Sequence, residues 1–340
     1  MTELVSQKWQ HRLEAALLTH GGELAAHPLV PSVMLKGVMN IVRRQQRPFI
    51  ASINVVNSCN LNCAGCYWRK DEAKEDRDEL SVDESKQLIL RLWHQGVRQF
   101  LLLGGEPMSE PEKVETLARY IAELHSTSTV ITNGTYGLPE PRAWPRTHFM
   151  ISCDGDRQGM DRVRGFDVMH QSSVFDQVKA VASHRNDVCL AMTISKINMD
   201  RVEAFVQETL SWGIAGVVFS FATPNVGERQ TFYLSDEQKE LTVQLLLTLK
   251  AEYGDFIIMS KRAIELFRPT EVAKWSPWCP TYSAVSIRAD GVALERCIFG
   301  PLGDCARCGC NITTSVAALE EGDKETARFV TLPAMRAGIR

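Results

Sequence analysis

Eight of the chain's ten cysteines fall into two groups, and the spacing within each points to soft-metal chemistry. Cys59, Cys63 and Cys66 share the stretch NSCNLNCAGCYW, while Cys279, Cys297, Cys305, Cys308 and Cys310 gather towards the C-terminal end. In a compartment that keeps thiols reduced, cysteines so placed are metal or redox groups rather than disulfide staples. A structural zinc site asks for four closed ligands, usually as two short-spaced pairs. The first group offers three, and no histidine lies between His27 and His94 to complete a tetrahedron. An iron–sulfur cube held by three thiolates leaves one iron free for a small chelating molecule, which is the chemistry this group suits. Cys153 and Cys189 stand alone in apolar, strand-like runs and read as small buried hydrophobes.

The second group lies in WCPTYSAVSIRADGVALERCIFGPLGDCARCGC. Asp290-Gly291 between two short alternating runs predicts a β-hairpin, with Cys279 before it and Cys297 at its exit. Cys305, Cys308 and Cys310 then crowd a glycine-rich loop.

Elements able to position these groups alternate along the chain, which is the pattern of βα units and a parallel sheet. Six strands are expected: FIASINVV, QFLLL, STVIT, HFMIS, VCLAMTI and VVFSF, beginning near residues 49, 99, 127, 148, 188 and 217. Ser81 with Glu84, Ser109 with Glu112, and Ser235 with Gln238 each fit a capping box, in which side chains satisfy the orphan N–H groups of a first helical turn. Six such units build either an open doubly wound sheet or an incomplete barrel, and in both the site forms from loops after the carboxyl ends of the strands. The cysteine loop, GGEP (Gly104 to Pro107), TNGT (Thr132 to Thr135) and SCDG (Ser152 to Gly155) all occupy such positions. One rim is therefore expected to collect them.

The order of these motifs, CNLNCAGC after a first strand and GGEP one βα unit later, resembles the radical S-adenosylmethionine (radical SAM) superfamily over about residues 48–225. The resemblance implies an α/β fold, a partial (β/α)6 TIM-like barrel with a C-terminal cysteine-rich auxiliary metal-cluster extension. It also implies a 4Fe-4S cluster on Cys59, Cys63 and Cys66, whose open iron chelates the amino and carboxylate groups of S-adenosylmethionine. One electron then splits the sulfonium to methionine and a 5′-deoxyadenosyl radical that abstracts hydrogen from, or adds to, a substrate. Position by position, Gly104, Gly105 and Pro107 would shape a close backbone approach, and Glu106 resembles the acceptor for the methionine amino group. Ser152 and Asp154 resemble the polar pair that meets the methionyl carboxylate and ribose. Arg164 matches the arginine that pairs with the same carboxylate. Thr132 and Asn133 would line the ribose side, and the main chain of Thr193 and Ile194 the adenine.

Many family members carry an aromatic residue directly before the third cysteine, whereas this chain has Gly65 there and Tyr67 after the cysteine. That form is similar to the adenosylhopene synthase subgroup. The C-terminal cysteines resemble the SPASM or twitch extensions, although the spacing matches neither well. The resemblance implies an auxiliary 4Fe-4S cluster on four of the five thiols, with Cys279, Cys297, Cys305 and Cys308 preferred over Cys310; a zinc knuckle is the alternative. The expected division is 1–47 as an N-terminal helical segment, 48–230 as the barrel core, 231–275 as a helical linker and 276–340 as the auxiliary-cluster region.

A net charge of -3, from 38 basic and 41 acidic residues in 340, gives no global basic field, so nucleic acid is not expected as a partner. No apolar run reaches the length of about 18 residues that spans a bilayer, and the N-terminus lacks signal-peptide order, so the chain reads as cytoplasmic. The basic, apolar stretch PLVPSVMLKGVMNIVRRQQRP admits a peripheral membrane contact. The expected function is reductive cleavage of S-adenosylmethionine followed by hydrogen abstraction from a peptide or small molecule, with flavodoxin or ferredoxin as electron donor. The alternatives are an adenosylhopene-synthase-like enzyme adding to an isoprenoid or lipid, and a non-enzymatic iron–sulfur or zinc redox protein.

Overall fold

A computed structural model describes residues 37, 39–41, 43, 47–68, 78–228 and 232–330. The expected N-terminal helical segment with its basic stretch lies almost wholly outside the described residues, as does the last part of the chain, 331–340.

Seven parallel strands form one open sheet in the order β8-β7-β4-β3-β2-β1-β9. They are β1 (Ile50–Val56), β2 (Gln99–Gly104), β3 (Thr127–Thr132), β4 (Thr147–Ser152), β7 (Val188–Ile194), β8 (Gly216–Phe221) and β9 (Ala284–Ile287). A small antiparallel hairpin, β5 (Phe166–Asp167) with β6 (Ser172–Ser173), projects after β4. Crossover helices α1 (Val82–Gln95), α2 (Pro111–Glu123), α3 (Arg157–Val163), α4 (Val174–Ala182) and α5 (Val202–Leu210) follow in chain order. Then come α6 (Asp236–Tyr253), α7 (Lys261–Glu265), α8 (Pro269–Trp275) and, beyond β9, α9 (Asn311–Glu320).

Period-2 alternation along the strands separates two faces. Ala51, Ile53, Val55, Phe100, Leu102 and Ile151 point into the larger core, where they meet Leu88, Leu92, Leu117 and Ile121 of α1 and α2. Ile50, Leu101 and Leu103 point the other way and pack with Val316 and Leu319 of α9. Thus α9 fills the apolar part of the second face, which is a partial barrel's inner side. Further along β1 that face turns polar, with Ser52 and Asn54 both buried. Among the described residues no helix is long and apolar enough to cross a membrane.

Two expectations need correction. The sheet has a seventh strand: β9, read from sequence only as the first arm of a hairpin, pairs in parallel with β1 from Ile50↔Ala284 to Ile53↔Ile287. The turn itself forms, with Gly291 at φ +82°, Arg288 N–H donating to Val292 O at 2.9 Å and Leu294 N–H to Ser286 O at 2.8 Å. Its return arm bridges only at Ile287↔Ala293, so β9 takes its ladder from the open edge of β1 instead. The second correction concerns Ser109. The boxes at Ser81 and Ser235 form in full, but α2 begins at Pro111 with Glu110 as its cap, and the Ser109 hydroxyl donates to Glu106 O at 2.8 Å. Proline favours the first helical position, which moves the helix start past Ser109.

Candidate functional site

The cysteine loop leaves the carboxyl end of β1 and the GGEP segment leaves that of β2, its neighbour in the sheet. Their closeness depends on glycine: a Cβ on Gly105 would lie 1.9 Å from Ser58 O, and one on Gly104, at φ +148°, 2.3 Å from Val56 O. Only a residue without a side chain admits that approach. Trp68, buried, braces the far end of the loop by donating its indole N–H to Asn57 O at 3.0 Å. Pro107 opens a short turn, Pro107–Ser109, capped by the Glu106 carboxylate.

Glu106 is 1% exposed. Its carboxylate accepts from Met108 N–H at 2.9 Å, from Asn133 N–H at 2.6 Å and from the Thr132 hydroxyl. Burial pushes its pKa up from 4.5 to about 7, against the pull of these three donors and of Arg164. The folded carboxyl therefore keeps a proton that the unfolded one loses above about 4.5. In the metal-free protein, unfolding free energy is expected to fall as pH rises from about 4.5 to about 7 and to level off beyond, because the folded state binds more protons across that window. Denaturant titrations across this range check it: Glu106→Gln should flatten the slope, and an unchanged slope would assign it to other groups.

Asn133 extends the network towards the thiols. Its amide nitrogen donates to Asn60 Oδ1 at 2.9 Å and lies 4.0 Å from Cys59 Sγ. Asn60 in turn donates to Thr135 Oγ1 at 2.9 Å and to Asp167 Oδ2 at 3.0 Å. Asp167, fully buried, also binds the His170 ring and the backbone N–H of Met169. The β5–β6 hairpin is thereby tied to the cysteine loop.

On the β4 side, Asp154 is 2% exposed and accepts from Thr193 N–H at 2.8 Å. Arg164 places Nε 2.7 Å from Asp154 Oδ2 and Nη1 3.7 Å from Cys63 Sγ. The Nε contact lacks hydrogen-bond alignment, so this buried N–H has no acceptor of its own. Burial pulls the guanidinium's pKa down, but Asp154 and the neighbouring thiolates outweigh it and hold the pKa above its ordinary value. Burial likewise pushes Cys63 up to about 11 despite Arg164. Ser152 is half-buried at the end of β4, Thr193 is exposed, and Ile194 sits in the larger core, which leaves only its main chain near the rim. Cys153 is fully buried and pushed up to about 12 by burial, which agrees with its reading as an inert hydrophobe.

Gly65 has a local cause. It sits at φ +68°, and a Cβ there would meet the Phe232 ring at 2.2 Å. Phe232, from the β8–α6 connection, fills the space beside the third cysteine. No sequence signal marked it, since its partner lies more than 160 positions away.

The C-terminal cysteines reach the same rim from the opposite edge of the sheet. Gly309 O accepts from Phe221 N–H at the end of β8 (2.8 Å), and Gly309 N–H donates to Thr223 Oγ1 (2.9 Å). A Cβ on Gly309 would stand 2.1 Å from Phe221 O. The chain from β9 to α9 thus bridges the two edge strands, β9 and β8, across the opening of the barrel. Tyr67, next to Cys66, meets Phe299 edge-on with ring centroids 6.0 Å apart. Burial pushes Cys297 up to about 11 and raises Cys308 further; the charges of Cys305 and Cys310 add to the first, and those of Cys279 and Cys310 to the second. All five thiols therefore share one electrostatic neighbourhood. Among the described residues no group of three or more His, Cys, Asp or Glu is arranged to hold a metal ion. The fit to a cluster rests on other observations: two all-thiol donor sets, the glycine cradle at Gly104 and Gly105, and the orphaned Arg164 Nε–H, which suits an incoming carboxylate.

Residues 53–152 match the radical SAM superfamily. The chain is 26% identical over 233 residues to the AdoMet-dependent heme synthase of Methanosarcina barkeri, covering 64% of this chain and 65% of that protein. It is 26% identical over 155 residues to the PqqA peptide cyclase of Bradyrhizobium diazoefficiens, covering 44% and 39%. In structure it resembles Streptococcus suis SuiB bound to the precursor peptide SuiA, with a TM-score of 0.54, 13% identity and coverage of 79% of this chain and 64% of that one. The chain thus spans less than two thirds of each of these relatives, and the likeness to SuiB is one of fold.

Proposed function

We propose that the chain, which carries a radical SAM domain, is an enzyme that cleaves S-adenosylmethionine reductively and modifies a peptide by hydrogen abstraction. A 4Fe-4S cluster and S-adenosylmethionine are the equipment of this superfamily, and Cys59, Cys63 and Cys66 are the residues that would hold the cluster. When bound, that cluster supplies the electron that splits the sulfonium to methionine and a 5′-deoxyadenosyl radical. The chain's own residues do the rest. Gly104 and Gly105 allow the β2 end to lie against the cysteine loop, and Glu106 fixes Thr132 and Asn133 beside it. Asp154 orients Arg164, whose Nε–H awaits an acceptor. The residues between β9 and α9 run from the β1 edge of the sheet to the β8 edge, beside the cysteine loop.

One observation carries the reading: the three-cysteine loop, Asn133 and the Asp154–Arg164 pair converge on one rim, with Asn133 and Arg164 directed at cysteine sulfurs. A peptide is placed first because of the PqqA peptide cyclase relative. A small molecule is the second reading, favoured by the longer alignment with the heme synthase. Gly65, which leaned towards an isoprenoid substrate, has a packing cause in Phe232. Flavodoxin or ferredoxin would supply the electron.

The test is anaerobic reconstitution with iron and sulfide, then S-adenosylmethionine and dithionite. Formation of 5′-deoxyadenosine is the expected result. A fully reconstituted protein that forms none, with or without candidate peptides, is a non-enzymatic iron–sulfur protein.

A further inference from the structure

Lys239, in the first turn of α6, is 7% exposed and forms no ion pair among the described residues. Its ammonium donates to Cys308 O at 2.9 Å and lies 5.4 Å from the centre of the Phe221 ring. The acidic group whose field reaches it, Asp236, is exposed to water on the same turn, and Arg307 opposes it with a like charge. A buried ammonium without a counter-charge costs several kcal/mol, so such a group normally faces an anion. Here the anion can come from the cysteines. Cys308 feels other thiolates and Lys239, Cys297 feels other thiolates and Arg296, and Arg296 Nη1 lies 3.6 Å from Cys305 Sγ. By contrast, Cys63 feels the Asp154 carboxylate as well as Arg164. Lys239, Arg296 and Arg307 thus lie near the C-terminal thiols, with the Asp304 carboxylate capping the turn that carries Cys305.

We propose that the Lys239 ammonium is the buried counter-charge of the C-terminal thiolate site, positioning the Cys308 loop and raising the reduction potential of the iron–sulfur group bound there. This rests on the reading above that the chain loads iron–sulfur groups. Cluster potentials respond to net charge and to cations nearby, and a cation stabilises the reduced, more negative form. A nine-tenths buried ammonium is poorly screened by solvent, so its effect should be measurable.

The experiment compares reconstituted full-length wild type with Lys239→Met and Lys239→Arg, by iron, sulfide and zinc content and by an EPR-monitored redox titration. A parent carrying alanine at Cys59, Cys63 and Cys66 assigns the C-terminal signal. Lys239→Met should keep its iron and shift the oxidised-to-reduced ratio at fixed potential about tenfold towards oxidised, 59 mV for a one-electron couple. Lys239→Arg should stay near wild type. If Lys239→Met folds poorly, Lys239→Gln against Lys239→Arg makes the same comparison of charge lost with charge kept. An unmoved midpoint with iron retained overturns the proposal, as does zinc or no metal at the C-terminal thiols. In those cases 5′-deoxyadenosine formation by wild type would leave the radical SAM reading standing, and its absence would remove both.

Discussion

Alanine at Cys59, Cys63 and Cys66 together is expected to abolish 5′-deoxyadenosine formation while leaving the C-terminal metal in place. The loss should be the whole catalytic acceleration, about a million-fold or more, because nothing else on the loop can replace the thiolates. The nearest histidines in sequence are His27 and His94, and Glu106 and Asp154 are buried in partnerships of their own. Quantifying 5′-deoxyadenosine by chromatography, with iron counts on the same samples, checks both halves. Cleavage that survived the triple substitution would show that these thiols are not the ligands.

A second large effect is expected at Asp154. Asp154→Ala would leave the Arg164 guanidinium, with a side chain only 13% exposed, without its carboxylate and would strip Thr193 N–H of its acceptor. Removing one partner of a buried pair leaves an uncompensated charge, a cost of about 3–5 kcal/mol. Asp154→Asn should lose less, since an amide oxygen can still accept from Thr193. Denaturant midpoints of the metal-free wild type and the two variants give the order. Equal stability of wild type and Asp154→Ala would mean that solvent already compensates Arg164.

Legibility followed the range of the interactions. The six strands from FIASINVV to VVFSF were readable because each is a short, β-rich apolar run, and the boxes at Ser81 and Ser235 because a cap and its partner lie three residues apart. The Ser109 reading failed within that same short range, where Pro111 competed for the helix start. Nothing local revealed that β9 would join the edge of β1, that Phe232 would take the space beside Gly65, or that Asp167 would hold Asn60. Lys239 was equally silent, because a lysine in a first helical turn ordinarily faces water.

By itself, then, the sequence determined which thiols are spaced as candidate ligands and the order of the loops on the rim, since thiol spacing and the apolar runs of the strands are properties of neighbouring residues. Only the tertiary structure decided what surrounds those thiols. The meeting of two cysteine groups on one rim, the Asp154–Arg164 pair beside Cys63 and the buried ammonium beside Cys308 each join residues far apart in the chain. Their positions follow from which sheet edge remained open and which side chains packing excluded from water, and neither is written in any short stretch of residues.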